Sequence, residues 1–220
     1  MGLIHVCEDV KTALPKEHLS DIEARIRWEG HEAEAWLAAR SILVMDQWVR
    51  GMCESGCPAY DTTPFCPPHL LDIEEAKRLF EGYDLALIIR YSGFHRWKDV
   101  EKTRAAKSLS ELVPEDRAEL RRRKDLRLKI REISDYIEEL GYETFPMSAG
   151  HCRLCEPPAC RQEECRQPHI SMPAVEGMGV HVFQTMARLG HEMHYLPPDY
   201  STFSFYNAIL INSSNKGSNN

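Results

Sequence analysis

Seven of the eight cysteines of this chain lie in two short, proline-rich segments that are far apart in the sequence. The first cysteine segment, residues 53–69, reads CESGCPAYDTTPFCPPH, and the second, residues 152–168, reads CRLCEPPACRQEECRQP. Because proline fixes φ and stops a helix from continuing, both segments are predicted to be irregular loops. Loops of this kind let thiolates converge, and crowded thiolates are tolerable only around a cation or a cluster.

Disulfide bonds are the alternative use of an even number of cysteines. The chain has 220 residues, enough to bury a core without covalent staples, and its first residues lack the basic and then apolar pattern of a secretory signal. We therefore expect a cytoplasmic protein whose cysteines bind metal. The net charge of −7 gives no general attraction to nucleic acid, and no apolar run approaches the ~20 residues of a membrane helix.

The second segment supplies enough thiolates to hold a cluster alone. Its four cysteines follow the spacing C-x2-C-x4-C-x4-C, with a proline shortly afterwards: Cys152, Cys155, Cys160 and Cys165. Structural zinc sites are usually built from two separated short pairs, whereas one compact run followed by proline is typical of [4Fe–4S] sites. The spacing favours an iron–sulfur cluster, with zinc as the alternative.

The first segment offers only Cys53, Cys57 and Cys66. Several residues are candidates for a fourth ligand: Cys7, His69, His151 or a cysteine of the second segment. If no fourth ligand exists, one coordination position is free for a small molecule, which is the mark of a catalytic metal site. Alternatively, the two segments meet and share one metal. The spacing does not separate these cases.

Strands and helices alternate along the chain, which predicts a single α/β or α+β domain over residues 1–212, with a small mixed sheet flanked by helices. Both cysteine segments are expected at strand ends, and residues 213–220 are expected to form a disordered polar tail. The predicted helices are 20–40 with a break near Gly30, 70–81, 114–140 and 174–190. The predicted strands are 41–49, 84–92, 142–150, 191–197 and 204–212.

The two cysteine segments and their surroundings resemble a known family. WVRGMCESGCPAYDTTPFCPPH and SAGHCRLCEPPACRQEECRQPHISMPAVEGMGVHVFQTMARLG are similar to a family of archaea and anaerobic bacteria described as predicted metal-binding proteins. The resemblance covers residues 40–195. It implies metal or iron–sulfur binding at the seven clustered cysteines, and it implies no particular reaction.

Three hypotheses for function follow. The first is an enzyme of redox or sulfur-related metabolism, with one or two [4Fe–4S] centres and an open metal position at the three-cysteine segment. The second is a non-catalytic electron-transfer or accessory protein with closed clusters, and the third is an interaction module stabilised by zinc. The expected partners are a small-molecule ligand or a redox partner protein, and neither nucleic acid nor a membrane.

Overall fold

A computed structural model describes residues 2–57, 59–95, 109–155, 160, 165–193 and 202–214. The strands in these ranges are β1 (Ile4–Val6), β2 (Ala33–Ala39), β3 (Leu85–His95), β4 (Glu143–Met147) and β5 (Thr202–Asn212). The α-helices are α1 (Lys16–Ile26), α2 (Gln47–Gly56), α3 (Ile73–Glu81), α4 (Pro114–Glu139) and α5 (Val182–Arg188). Short 3₁₀ turns are found at Glu8–Val10, Arg40–Ile42, Leu109–Glu111 and Glu176–Met178.

The five strands form one mixed sheet in the order β1-β2-β3-β5-β4. The β1–β2 pair is parallel and the other three pairs are antiparallel. Residues 85–89 of the central strand β3 are buried on both faces of the sheet, as their continuous apolar sequence predicts. The expected mixed α/β domain with helices around a small sheet is confirmed.

Helices α1 and α4 cover one face of the sheet. The apolar residues of α4 recur at steps of three and four and bury a continuous stripe, formed by Leu126, Ile130, Ile133 and Ile137. They contact the side chains of α1 and the odd-numbered residues of β3, such as Leu87 and Ile89. The predicted helix 114–140 is thereby confirmed, including its end before Gly141, whose φ is 93°.

The opposite face of the sheet carries α3, α5 and the segment between β4 and α5. Phe80 of α3 and Met186 of α5 are fully buried against Ile88 and Leu210. A capping box begins α3, since the Asp72 carboxylate accepts from Glu75 N–H at 2.8 Å. The first cysteine segment lies on this side, because Phe65 O accepts from Ala174 N–H, and the second belongs to the stretch of chain between β4 and α5.

Two predicted elements around the first cysteine segment are wrong. Residues 33–39 form β2 instead of continuing a helix, although the chain does break at Gly30, where φ is 78°. Residues 41–49, predicted as a strand, form the end of a 3₁₀ turn and the start of α2. Helix α2 begins there because the Asp46 carboxylate caps it, accepting from Trp48 N–H at 2.8 Å.

The predicted helix 174–190 is confirmed only in its second half. Residues 176–178 form a 3₁₀ turn that Gly179 ends with a φ of 87°, so α5 cannot begin before Val182. Residues 191–193 of the predicted strand 191–197 are not in a strand, and its remaining residues lie outside the described ranges. The predicted strands 142–150 and 204–212 are confirmed as β4 and β5.

The predicted tail begins with an ordered contact. The N–H of Ser213 donates to an Asp84 carboxylate oxygen at 2.6 Å, whereas residues 215–220 lie outside the described ranges. The domain boundary at residue 212 stays a prediction. Among the described residues, no helix combines the length and the apolar character needed to cross a membrane.

His31 couples the stability of this fold to pH. Its ring lies 4.0 Å from that of Trp28 and 4.9 Å from that of Phe94, and Nδ1–H donates to Ser92 O at 3.1 Å. Burial lowers the pKa of His31, and the smaller effects of Arg122 and Glu119 oppose each other. The unfolded chain therefore binds a proton more readily than the folded protein as pH falls below about 6.5.

We expect the free energy of unfolding to fall as pH is lowered from 7.5 to 5, since the neutral form of His31 is the one that the fold favours. Urea unfolding at a series of pH values measures this. His31→Gln keeps a donor for Ser92 O but cannot titrate, so it should make the pH dependence less steep. Burial also lowers the pKa values of His151 and His191, which should account for the pH dependence that remains. Equal slopes in the two proteins would contradict the assignment to His31.

Candidate metal centre

The first cysteine segment begins in a helix rather than in a loop. Cys53 lies in α2, and Cys57 caps the end of this helix, its N–H donating to Cys53 O at 3.0 Å. The three intervening residues place the two thiols one turn apart on the same side of the helix, close enough to interact electrostatically. The loop prediction is wrong for residues 53–56 and holds for the turns that follow.

A series of tight turns brings Cys66 back towards α2. Asp61 has a left-handed φ of 56°, and its N–H donates to Pro67 O at 2.9 Å. Cys66 is buried and interacts electrostatically with both Cys53 and Cys57. Burial raises the pKa of Cys66, and burial followed by the neighbouring Cys57 raises that of Cys53 to about 11. The three thiols thus form one group.

The second cysteine segment is attached to the sheet at its start. The buried Asn207 of β5 accepts from Ser148 Oγ and from Ala149 N–H, each at 3.0 Å, and donates to Ile89 O at 3.2 Å. Asn207 therefore fixes the residues that lead from β4 into the segment. The sequence reasoning did not identify this residue. An Asn in the middle of an apolar run, between Phe205-Tyr206 and Ala208–Ile211, was the available signal.

Within the second segment, Gln167 joins the first and last parts. Its backbone N–H donates to Cys165 Sγ at 3.3 Å, and its side-chain amide donates to Cys155 Sγ at 3.6 Å and to Leu154 O at 3.3 Å. Cys160 interacts electrostatically with Cys155 and Cys165, and burial followed by these neighbours raises its pKa to about 11. The cysteines of this segment therefore form a second group.

Residues 173–181 join the two cysteine segments. Ala174 N–H donates to Phe65 O in the first segment at 3.3 Å, and Val175 N–H donates to Ser148 O, before the second, at 3.2 Å. Gly177 allows the close approach, because a Cβ there would lie 2.9 Å from Leu70 Cδ1. Gly177 therefore lets this turn pack against the residues around the end of the first segment.

Arg127 of α4 lies beneath both segments and is only 2% exposed. Nε donates to His151 O at 3.2 Å, Nη1 to Met172 O at 3.0 Å, and Nη2 to Gly150 O. Burial lowers the pKa of this guanidinium, and the nearby Cys152, Cys66 and Glu176 act in the opposite direction. A buried cation thus stands among thiols from both segments.

Cys152 is the point at which the two groups of thiols come closest. It interacts electrostatically with Cys66 of the first segment and with Cys160 of the second. The structure therefore brings the seven predicted cysteines together as two groups, with Cys152 between them. Cys7 is not among them: it packs against the opposite core, beneath α1 and α4, and Asp9 is the charge that affects it.

The three histidines beside the cysteine segments, His69, His151 and His169, occupy different surroundings. His69 pairs with Asp61 at 2.8 Å, and His169 is exposed. Of the three, all within the described ranges, only His151 lines the large cavity described next. Burial, followed by the charges of neighbouring arginines, lowers the pKa of His151 to about 3. Its imidazole is consequently neutral at ordinary pH and keeps a lone pair.

A cavity of about 1090 Å³ opens against the first cysteine segment. Cys53, Cys57 and Cys66 line it, whereas the four cysteines of the second segment, all of them described, do not. Trp48 and Met52 of α2 and Phe183 of α5 form an apolar part of its wall and are 57%, 53% and 38% exposed. The two groups of thiols therefore differ in their surroundings: the first faces this cavity, which is large enough for a small molecule, and the second does not line it.

The donor set suits a soft metal or an iron–sulfur cluster, since neighbouring, partly buried thiols are the ligands that these centres prefer. Within the described ranges, no three His, Cys, Asp or Glu side chains are arranged to hold a single metal ion. What the fold supplies is therefore proximity of the thiols, a buried positive charge and one accessible face.

Comparison with known proteins agrees with this chemistry. No curated protein and no solved structure matches the chain. A family model described as "Predicted metal-binding protein (DUF2284)" matches residues 35–211, a range that spans β2 to β5 and contains both cysteine segments. The chain belongs to this family of predicted metal-binding proteins.

Proposed function

We propose that this protein is an iron–sulfur protein of redox or sulfur-related metabolism, with two [4Fe–4S] centres. The second segment would hold one centre through Cys152, Cys155, Cys160 and Cys165. The first would hold the other through Cys53, Cys57 and Cys66, with a coordination position left for a ligand. The family supports metal binding, and the identity of the metal and its role are part of the proposal.

One observation carries this assignment: the three-thiol group lines the cavity and the four-thiol group does not. A centre with three protein ligands and an adjoining space is suited to binding a small molecule, whereas a centre enclosed by four thiolates is suited to passing electrons. The bound centres would supply one-electron transfer and a coordination position for a donor atom. The protein would then have a small-molecule ligand, a redox partner, or both.

The residues around the thiols have distinct parts in this proposal. Arg127 holds the carbonyl groups of Gly150, His151 and Met172, and its charge offsets negative charge on Cys66 and Cys152. Gln167 donates to Cys155 and Cys165, which orients these sulfur atoms and lowers the electron density on them. Pocket walls of apolar side chains exclude water from the three-thiol group.

A second candidate is an electron-transfer or accessory protein without an open position. The electrostatic interaction between Cys66 and Cys152 favours it, because Cys152 could complete the first centre or the two segments could share one. A zinc-stabilised module remains the third candidate, since thiolates bind zinc as well.

Cysteine variants purified without oxygen separate these candidates. Iron, sulfide and zinc analysis of the unchanged protein should give about eight irons per chain and little zinc. Cyanide should change the EPR spectrum of one centre only. Cys66→Ser should abolish the cyanide response, whereas Cys160→Ser should remove about half of the iron and leave the response in place. Cys7→Ser, outside both groups, is the matched control and should change neither.

The same measurements can also give results that contradict the proposed function. Equal loss of all iron in Cys66→Ser and Cys160→Ser would mean one shared centre, and the open-site proposal would be wrong. A full complement of iron without any cyanide response would favour the closed electron-transfer protein. Tightly bound zinc without iron would leave the zinc-stabilised module.

A further inference from the structure

A row of polar side chains crosses the sheet at the far wall of the cavity. Glu34, Arg90 and Tyr206 are direct cross-strand neighbours on β2, β3 and β5, so their side chains stand on the same face. Arg90 Nη2 lies 3.2 Å from a Glu34 oxygen, and His191 Nε2 lies 3.1 Å from Tyr206 Oη. Three of these four residues line the cavity: Arg90, His191 and Tyr206.

Arg90 keeps hydrogen-bonding capacity in this row. Its Nε is buried and has no hydrogen-bond partner among the described residues. Glu34 does not serve Arg90 alone, since its other oxygen lies 3.1 Å from His5 Nε2. The Arg90 side chain as a whole lines the cavity and is 24% exposed, so a ligand that brings a negatively charged acceptor there adds a partner for a guanidinium that shares Glu34 with His5.

The neighbours of Arg90 are suited to a second contact. Burial lowers the pKa of His191 and raises that of Tyr206, although Arg90 acts to lower the latter. Both groups are therefore neutral at ordinary pH, and each can donate or accept a hydrogen bond without a further charge. Ser92 and Ser204, which lie 2.8 Å apart through their hydroxyls, add polar groups to the same wall.

We propose that the cavity binds an organic acid, with its carboxylate at Arg90, Tyr206 and His191 and its apolar or aromatic body against Trp48, Met52 and Phe183. The polar row and the exposed apolar side chains line the same cavity as the three-thiol group. The ligand would thus lie between a carboxylate-binding wall and Cys53, Cys57 and Cys66. The inference deepens the proposed function, because it names the class of molecule that would reach the first centre.

The experiment uses aryl acids as probes, each beside its neutral amide: phenylacetate, 3-phenylpropionate and 2-naphthylacetate. Calorimetric titration of the full chain should show that at least one acid binds about tenfold to a hundredfold more tightly than its amide, since a hydrogen bond to a charged group adds that much. Arg90→Gln should remove the preference for the acid. Arg78→Gln, the same change at an exposed site on α3, should retain it.

Trp48→Ala should weaken acid and amide by the same factor, because Trp48 contacts the body of the ligand. If Arg90→Gln does not fold, Tyr206→Phe replaces it and should reduce the ratio of acid to amide affinity. Three results would each overturn the inference. These are equal affinity for acids and amides, absence of acid binding, and an unchanged preference for acids in whichever of Arg90→Gln and Tyr206→Phe folds.

Failure of this inference is distinguishable from failure of the proposed function. Iron content and the cyanide response depend on the cysteines, and acid binding depends on Arg90. Arg90→Gln should keep both its iron and its cyanide response, because Arg90 is not among the cysteine ligands. An iron-loaded protein that shows no preference for acids would retain the proposed function and lose this ligand class.

Discussion

Replacing Arg127 with methionine is expected to abolish iron binding at both cysteine segments and to lower the free energy of unfolding by about 3–5 kcal/mol. The guanidinium donates to three backbone carbonyls, of which His151 O and Gly150 O belong to the entrance of the second segment. Methionine fills much of the volume but leaves all three acceptors without a donor. Urea unfolding and iron analysis of the purified variant give the two readouts.

Arg121→Met is the matched control for this change. Arg121 lies on the same helix and is exposed, so the same substitution there should alter neither stability nor iron content beyond a few tenths of a kcal/mol. Arg127→Lys adds a second comparison, because lysine keeps the charge but cannot serve three acceptors with a planar group. Normal iron and normal stability in Arg127→Met would contradict the role given to this residue.

Removing the metal is expected to expose both cysteine segments to proteolysis at once. Metal-binding free energy is folding free energy for segments of this kind, and residues 173–181 tie the two together. Chymotrypsin should cut after Tyr60 and Phe65, and trypsin after Arg153 and Arg166, at least about tenfold faster in the metal-free protein. Mass spectrometry of timed digests identifies each cut.

The core provides the internal reference for this digestion. Tyr91 and Phe80 are fully buried in the two cores, and cleavage after them should stay slow with or without metal. Acceleration at one segment alone would mean that the segments open independently. Unchanged cleavage in both would mean that neither depends on metal for its structure.

The parts of the fold that the sequence predicts well are those with a strong local pattern. The stripe of α4 and the continuous apolar run of β3 leave one way each to bury their side chains. β2 was mistaken for a helix because its alanines and glutamate favour helices, whereas pairing with both β1 and β3 decides its structure. Long-range pairing of this kind leaves no mark in a short window of sequence.

The candidate site likewise contains residues that a local sequence pattern reveals and residues that it does not. The cysteines are visible as a pattern, and the structure brings their two segments together around Arg127. The groups that hold them are not visible, because Arg127 closely follows the charged run RRRKD (residues 121–125) of a long helix, where an arginine usually faces solvent. Its position three residues before the buried Ile130 was the available signal that this arginine points inward. Gln167 carried no such signal.

The position of β5 in the sheet sets an order on the formation of the site. β5 follows both cysteine segments in the sequence, yet it lies between β3 and β4, and its Asn207 fixes the start of the second segment. During translation, all seven thiols therefore leave the ribosome before β5, the strand that joins β3 to β4 in the sheet. Until β5 has left the ribosome, these cysteines lie in an incompletely folded chain and are accessible to metal ions and oxidants in solution. Correct loading of the protein is consequently a step that follows translation.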